Sequence, residues 1–534
     1  MFSNKFFKSQ YFSFVYITLL MTLVFVISNR YFIPESLRLD ESQSIWQANR
    51  PIRDMLEVNA RDVHMPLYNI LLHNWMNYFG NNIFTNRLLS LTFFLATIPM
   101  SFLVTRLITK RSEIGLYVAT LLSFSPFANW FGNELRMYSM LIFFTLCSHY
   151  YFLKLYESKK NNMFLWFNYF IFSLLGIYTH YFFILFIICQ LIFFSFNAQS
   201  FVRGAKFNFL KVSIGLAIFI SPWIAYVKYI NTAGSQTPLL IKPSTVDLFN
   251  VYSNHFFGFQ NDYNNSLILS MWPLFGVLCL FFLQKRNYQT ISNFSVTKAA
   301  QKNTTQQLYF DVINNQQEIN QIENQHKVGS KLFSNKYIYI GVMAFLPTII
   351  LFLVSTFVRP VFLSRYLIMC LVPTYIIIGS LLFSFNSRVT YFLRFGLVAA
   401  MILGLFVQIV SPDISVKENY RGVINYVINS SQNTDVIAVS APFTIYPFYY
   451  YYNGSAKLST IPQWDLTTAI PEFTEENLAK QMQEFKEKNK KLYLVLSYDQ
   501  GYEKKIKNYA DNNFKFVSEQ TFSPKLNLYV YDLK

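Results

Sequence analysis

The stretch that decides the fold is Asn86 to Leu107, NRLLSLTFFLATIPMSFLVTRL. It is followed at once by the basic turn ITKRS and by a second apolar stretch, Glu113 to Phe131, EIGLYVATLLSFSPFANWF. A helix needs about 20 apolar residues to cross the hydrocarbon core. Each stretch is long enough, and the junction between them carries Arg106 at the end of the first with Lys110 and Arg111 in the turn. Two apolar helices joined by a short cationic turn read as a pair of membrane spans with the turn in the cytoplasm.

The pattern repeats along the chain. Spans are expected near 11–28, 86–107, 113–131, 136–155, 163–180, 182–198, 207–227, 265–284, 337–357, 366–385 and 395–411. The short loops holding Lys5 and Lys8, Lys154, Lys159 and Lys160, Arg203, Lys206 and Lys211, Lys285 and Arg286, and Arg388 and Arg394 then all fall on one side, with Arg106, Lys110 and Arg111. The expectation is a multi-pass plasma (inner) membrane protein with a cytoplasmic N-terminus. The first apolar stretch lacks a small-residue cleavage site and reads as a retained span.

Composition agrees. The 534 residues are 53% hydrophobic, 19% aromatic and only 14% charged, more apolar surface than a soluble chain would bury. The net charge of +17 does not point to nucleic acid, because Pro412 to Lys534 is neutral, with fourteen Lys and Arg against fourteen Asp and Glu. The excess lies among the apolar segments, where it sets topology and meets membrane lipids. Cys147, Cys189, Cys279 and Cys370 all sit in apolar stretches and read as small buried side chains.

Two regions lie outside the spans. The first outer loop, about Asn29 to Thr85, ends in an amphipathic helix, Pro66 to Phe79, expected to lie in the interface plane. The tail reads as a small extracytoplasmic α/β domain, with helices at Lys417–Ile428 and Glu475–Lys488 and strands at Val436–Val439, Leu492–Leu496 and Leu526–Tyr531. The domains are thus 1–411 and 412–534, an all-α polytopic membrane part and an α/β tail. The inner loop from Lys285 to Lys336, rich in Asn and Gln, is expected to be disordered.

Under this topology the unusual polar residues gather on the outer face. They are Asp40 and Glu41, His64, Glu134 with Arg136 and Tyr138, His180 and Tyr181, His255, and Arg365. Each has a bland reading. Asp40 could cap a helix beginning at Glu41, with Gln43 completing a capping box. His180 could belong to an aromatic belt, and a lone Arg could snorkel to headgroups. Two arginines at helix N-termini, where the macrodipole disfavours a cation, instead suggest a bound phosphate. A carboxylate beside a lipid phosphate suits glycosyl transfer. Asp40 or Glu41 would act as general base on an acceptor hydroxyl, and Arg136 and Arg365 would stabilise the departing phosphate. His64, Glu134, Tyr138, His180, Tyr181 and His255 would contact substrate.

Leu39-Asp40-Glu41, His64-Met65-Pro66-Leu67-Tyr68, Glu134-Leu135-Arg136-Met137-Tyr138, Tyr178-Thr179-His180-Tyr181 and Ser364-Arg365-Tyr366-Leu367 occur in that order. The set resembles the GT-C superfamily of integral-membrane glycosyltransferases. The likeness is greatest to the bacterial family 39 relatives of protein O-mannosyltransferases and lipid A aminoarabinose transferase, the lipooligosaccharide-glycosyltransferase-like group. It implies a polyprenyl-phosphate-linked sugar donor and a glycan, lipid or protein acceptor. It also implies that the first-loop acid, here Asp40 with Glu41 adjoining, is the base and that Arg136 and Arg365 hold the donor phosphate. His64-Met65-Pro66 departs from the family's His-Pro-Pro. A divalent metal, held in some relatives by a Glu/His pair, is left open, with His255 a candidate ligand lacking a fixed partner. The rivals are a transporter of lipid-linked sugars and an oligosaccharide ligase using a lipid diphosphate.

Overall fold

The computed structural model describes residues 10–62, 64–230, 242–258, 335–384, 387–410, 418–466 and 470–534. Helix α1 (Gln10–Ile27) leads into the first loop, which folds into α2 (Leu39–Ala48), α3 (Ile52–Arg61) and α4 (Leu67–Phe79). The bundle continues with α5 (Ile83–Thr109), α6 (Ser112–Phe124), α7 (Pro126–Gly132), α8 (Tyr138–Glu157), α9 (Met163–Thr179), α10 (Phe183–Asn197), α11 (Ala205–Ile230) and α12 (Thr245–Phe257). After residue 334 come α13 (Asn335–Phe357), a 3₁₀ turn (Ser364–Cys370), α14 (Leu371–Ser384) and α15 (Arg388–Val410).

Among the described residues seven helices are long and apolar enough to cross a membrane, or eight if the bent pair α6–α7 is one span. The protein is therefore multi-pass. Ten of the eleven expected segments are helical; the remaining one, 265–284, lies outside the described residues, as does most of the 285–336 loop. Eleven spans are thus not established, and α9 is apolar but shorter than a full crossing.

The stretch read as one span over 113–131 is broken. Pro126 has no N–H to donate, and the residue before a proline is driven out of the helical region. Ser125 accordingly turns extended and caps the new helix by accepting from Ala128 N–H at 3.1 Å. The two halves meet at 64°. Gly132 lets the end of α7 press against α5, since a Cβ there would sit 2.4 Å from the Phe94 ring.

Charges separate along the bundle. At one end Lys110 and Lys336 pair with Glu157, Arg111 donates to Phe383 O and Arg394 to Leu382 O. Arg87 stands near the other end of α5, about 35 Å away along its axis.

The tail is a five-stranded sheet flanked by helices. It contains β1 (Val436–Ser440), β2 (Lys457–Thr460), β3 (Lys491–Ser497), β4 (Lys515–Ser523) and β5 (Leu526–Asp532), in the order β2-β1-β3-β5-β4. The first three strands are parallel and the last two join antiparallel. Alternate residues of β1 and β3 supply two cores. Ile437, Val439, Tyr493 and Val495 meet α16 (Tyr420–Ser430), while Val436, Ala438, Leu492 and Leu494 meet α18 (Glu475–Lys488) and α19 (Glu503–Asn513). Burial on both faces is what a parallel sheet requires. A short helix, α17 (Tyr446–Tyr451), carries the tail onto α2 of the first loop.

Candidate active site

Helix α2 starts at Leu39 with Arg38 as its N-cap residue, two positions earlier than the sequence suggested. Asp40 is therefore not the cap. Glu41 reaches back instead, accepting from Arg38 N–H at 3.0 Å.

Consecutive positions on a helix point about 100° apart, so Asp40 and Glu41 enter different surroundings. The Glu41 carboxylate has no exposure. It accepts Arg87 Nε at 2.8 Å and Nη2 at 2.6 Å, and also Leu135 N–H at 3.0 Å. Arg87, equally buried, spends its remaining donors on the carbonyls of Phe32, Ile33, Glu35 and Ser36 at 2.9–3.1 Å. This pair locks the first loop to α5.

Asp40 is less enclosed, with a quarter of its side chain exposed. Arg365, in the 3₁₀ turn, donates Nη1 to Asp40 Oδ2 at 3.1 Å. Asn254 of α12 steadies that turn by donating to Ser364 Oγ at 3.0 Å. Arg136 follows α7 and approaches from the other side. Its Nη1 lies 3.4 Å from Ser44 Oγ, and its Nη2 donates to His64 Nε2 at 3.0 Å. Since a guanidinium only donates, His64 carries its proton on Nδ1, which lies 3.0 Å from Asp62 Oδ2. Asp62 is fixed by Gln43 and Gln47 at 2.8 and 3.0 Å. Burial by itself would raise the Asp40 carboxyl. Arg136, Arg365, Arg38 and His64 outweigh it and hold the group well below the usual carboxylate range.

Glu134 is buried and accepts Arg38 Nη1 at 3.1 Å; burial pushes its carboxyl up. Arg38 also lies 3.5 Å from Glu418, at the start of the tail, and over the Trp130 ring at 5.1 Å. Tyr498 from the sheet domain donates to Glu418.

Of the remaining expected residues, Tyr138 is buried near both arginines, and the His180 ring packs 6.2 Å from Tyr138 and 5.2 Å from Tyr366. Tyr181 and His255 stand apart. Tyr181 accepts from Trp223 Nε1 at 3.0 Å, which ties it to α11. The His255 ring is buried against Phe127 and Tyr252, and its carbonyl accepts from Ser125 and Tyr375. Among the described residues no group of three or more His, Cys, Asp and Glu could hold a metal ion.

Arg38, Ser44, Asp62 and Arg87 escaped the sequence reading. Arg87 could have been flagged, because an arginine in the first turns of an apolar span needs a buried partner. Arg38 gave no such signal, since its two carboxylates lie 96 residues away and in the tail.

No family model matches the chain, and no curated protein matches it in sequence. Its architecture does match solved structures. Apo ArnT from Cupriavidus metallidurans superimposes with TM-score 0.57 at 11% identity, over 97% of this chain and 98% of that one. The same protein bound to undecaprenyl phosphate gives 0.52 at 11% identity over the same shares. The chain therefore has the GT-C fold of these structures over nearly its whole length.

Proposed function

We propose that the protein is an inverting glycosyltransferase that moves a sugar from a polyprenyl-phosphate donor to a hydroxyl acceptor on the outer face of the plasma membrane. The observation that carries this reading is the convergence of one partly exposed carboxylate, Asp40, with Arg365 and Arg136 in a single cluster. The undecaprenyl phosphate held by the similar ArnT structure supports the donor class.

In this reading the donor phosphate lies against Arg136 and Arg365. An acceptor hydroxyl attacks the anomeric carbon and gives its proton to Asp40. The new C–O bond forms as the bond from that carbon to the phosphate oxygen breaks, and the phosphate leaves with the electron pair. The two guanidiniums neutralise its growing charge. One displacement inverts the anomeric centre. Without donor, Arg365 grips Asp40 and makes it a weak base. A phosphate arriving between them draws off that positive field and restores basicity.

Glu41 serves here as a positioning residue, because its carboxylate is already engaged with Arg87, Arg38 and Leu135. His64, Glu134, Tyr138 and His180 line or orient the site. The expected division at 411/412 is retained as a transferase domain and an extracytoplasmic domain that supports α2 or receives acceptor.

Purified wild type, Asp40→Asn and Arg365→Ala, each given radiolabelled polyprenyl-phosphate sugars and a membrane-extract acceptor pool, test the reading. Transfer by wild type and its loss in folded Asp40→Asn is the expected result. Consumption of no donor by wild type, or undiminished transfer by Asp40→Asn, overturns it.

A further inference from the structure

Helix α2 has a second functional face. Asp40, Gln43, Ser44 and Gln47 point toward Arg365, Arg136 or Asp62. Ser42, Ile45, Trp46 and Asn49 lie roughly half a turn round the same helix. There they line an open cavity of about 530 Å³, bounded on the other side by Tyr446, Tyr449 and Tyr450 of α17. That volume lies within the range of small-molecule sites, roughly 300–1,000 Å³.

Its chemistry is specific. Trp46 and Tyr446 stand 5.0 Å apart at 55°, and Tyr449 is 52% exposed, so aromatic faces are offered to a ligand. Asn49, Asn81 and the tyrosine hydroxyls ring them with donors and acceptors. Arg50 lies over Trp46, its Cζ 3.8 Å from the ring centroid. Its buried Nε has no hydrogen-bond partner, and among the described residues no acid pairs with it. The guanidiniums of Arg38, Arg87, Arg136 and Arg365 each have at least one acceptor, though the Nε of Arg38, Arg136 and Arg365 also lacks a hydrogen-bond partner. A guanidinium close over an indole at the edge of an aromatic cavity suits a ring with one apolar face and an attached anion.

We propose that this cavity is a second binding site, separate from the Asp40–arginine cluster, that takes an acidic saccharide. Sugar carbons pack on Trp46 and the tyrosines, and a carboxylate or phosphate on the sugar pairs with Arg50. The site needs both the membrane part and the tail, since α2 supplies one wall and α17 the other. The inference does not depend on the transferase reading.

The test is saturation-transfer NMR on the detergent-solubilised full chain, with glucuronate, glucose 6-phosphate and glucose as probes. Signal from the two acids and not from glucose is expected. Arg50→Gln should weaken it roughly tenfold, the size of one lost charge-assisted bond. Trp46→Phe should keep part of it, and Asp40→Asn all of it. Equal signal from glucose, no signal from either acid, or an undiminished signal in Arg50→Gln with wild-type melting overturns the proposal. Loss of transfer across all proteins with binding intact would sink the transferase reading and leave this one standing.

Discussion

Asp40 and Glu41 are chain neighbours with opposite roles in the structure. Glu41 and its partner Arg87 have no exposure, and each oxygen and nitrogen of the pair is matched. Asp40 and Arg365 are a quarter to a third exposed and share one hydrogen bond at 3.1 Å, with Arg365 Nε unpartnered. A buried ion pair with complete bonding sets shape, because removing either member strands a charge. An exposed, incompletely bonded pair can exchange partners when a ligand arrives. Saturation of hydrogen bonds, more than residue type, separates the scaffold from the candidate chemistry.

The comparison can be broken by swapping the two effects. Asp40→Asn should lower transfer by about 10²–10⁴, the usual worth of a general base, while thermal melting stays at the wild-type value. A drop in melting temperature instead would place Asp40 in the scaffold. Glu41→Ala should behave in reverse, destabilising the fold by about 3–5 kcal/mol and reducing yield of monodisperse protein in fluorescence-detected gel filtration. Glu41→Leu combined with Arg87→Met should recover only part of that loss, since four loop carbonyls would still lack their donor. Full recovery would show that Arg87 matters only as a counter-ion.

Smaller effects sharpen the picture. Arg365→Ala should cut transfer about 10²–10³ through lost stabilisation of the departing phosphate. Arg38→Met should cost about 1.5–3 kcal/mol, read in melting curves, because it frees Glu134 and Glu418 together. The least change is expected with pH. The folded-state pKa of Asp40 lies below its unfolded value of about 3.9. Its stabilisation is thus present above that value and is lost only as pH falls through the lower, folded one. Lowering pH from about 7 to 5 should leave Asp40 ionised and produce no acid limb of its own in the rate profile. Arg365→Ala, with one cation gone, should move any such limb toward higher pH.

Much of this was legible in the chain. Apolar length marked the helices, and short apolar runs marked β1, β3 and β5, whose ends fell within a residue or so of expectation. β2 and β4 escape that signal because Lys457–Thr460 is short with a single large apolar residue, Leu458, and Lys515–Ser523 is largely exposed. The break at Ser125-Pro126 was available from proline geometry, yet continuous hydrophobicity masked it. For the candidate site, Asp40, Arg136, Arg365 and His64 do meet. Tyr181 and His255 share motifs or an expected face with them but turn into helix packing, a distinction that depends on side-chain direction.

The Arg87 lock also bears on how the chain is made. Everything it grips, from Phe32 to Glu41, precedes it by 46 to 55 residues. The first loop is therefore synthesised and released before its fastener exists. Until α5 enters the bilayer edge, Glu41 has no counter-ion, and Arg87 itself would be costly to insert alone. Closure of the loop can be completed only once α5 is in place, which ties the shape of the candidate catalytic helix to a step of biogenesis and not only to the finished fold.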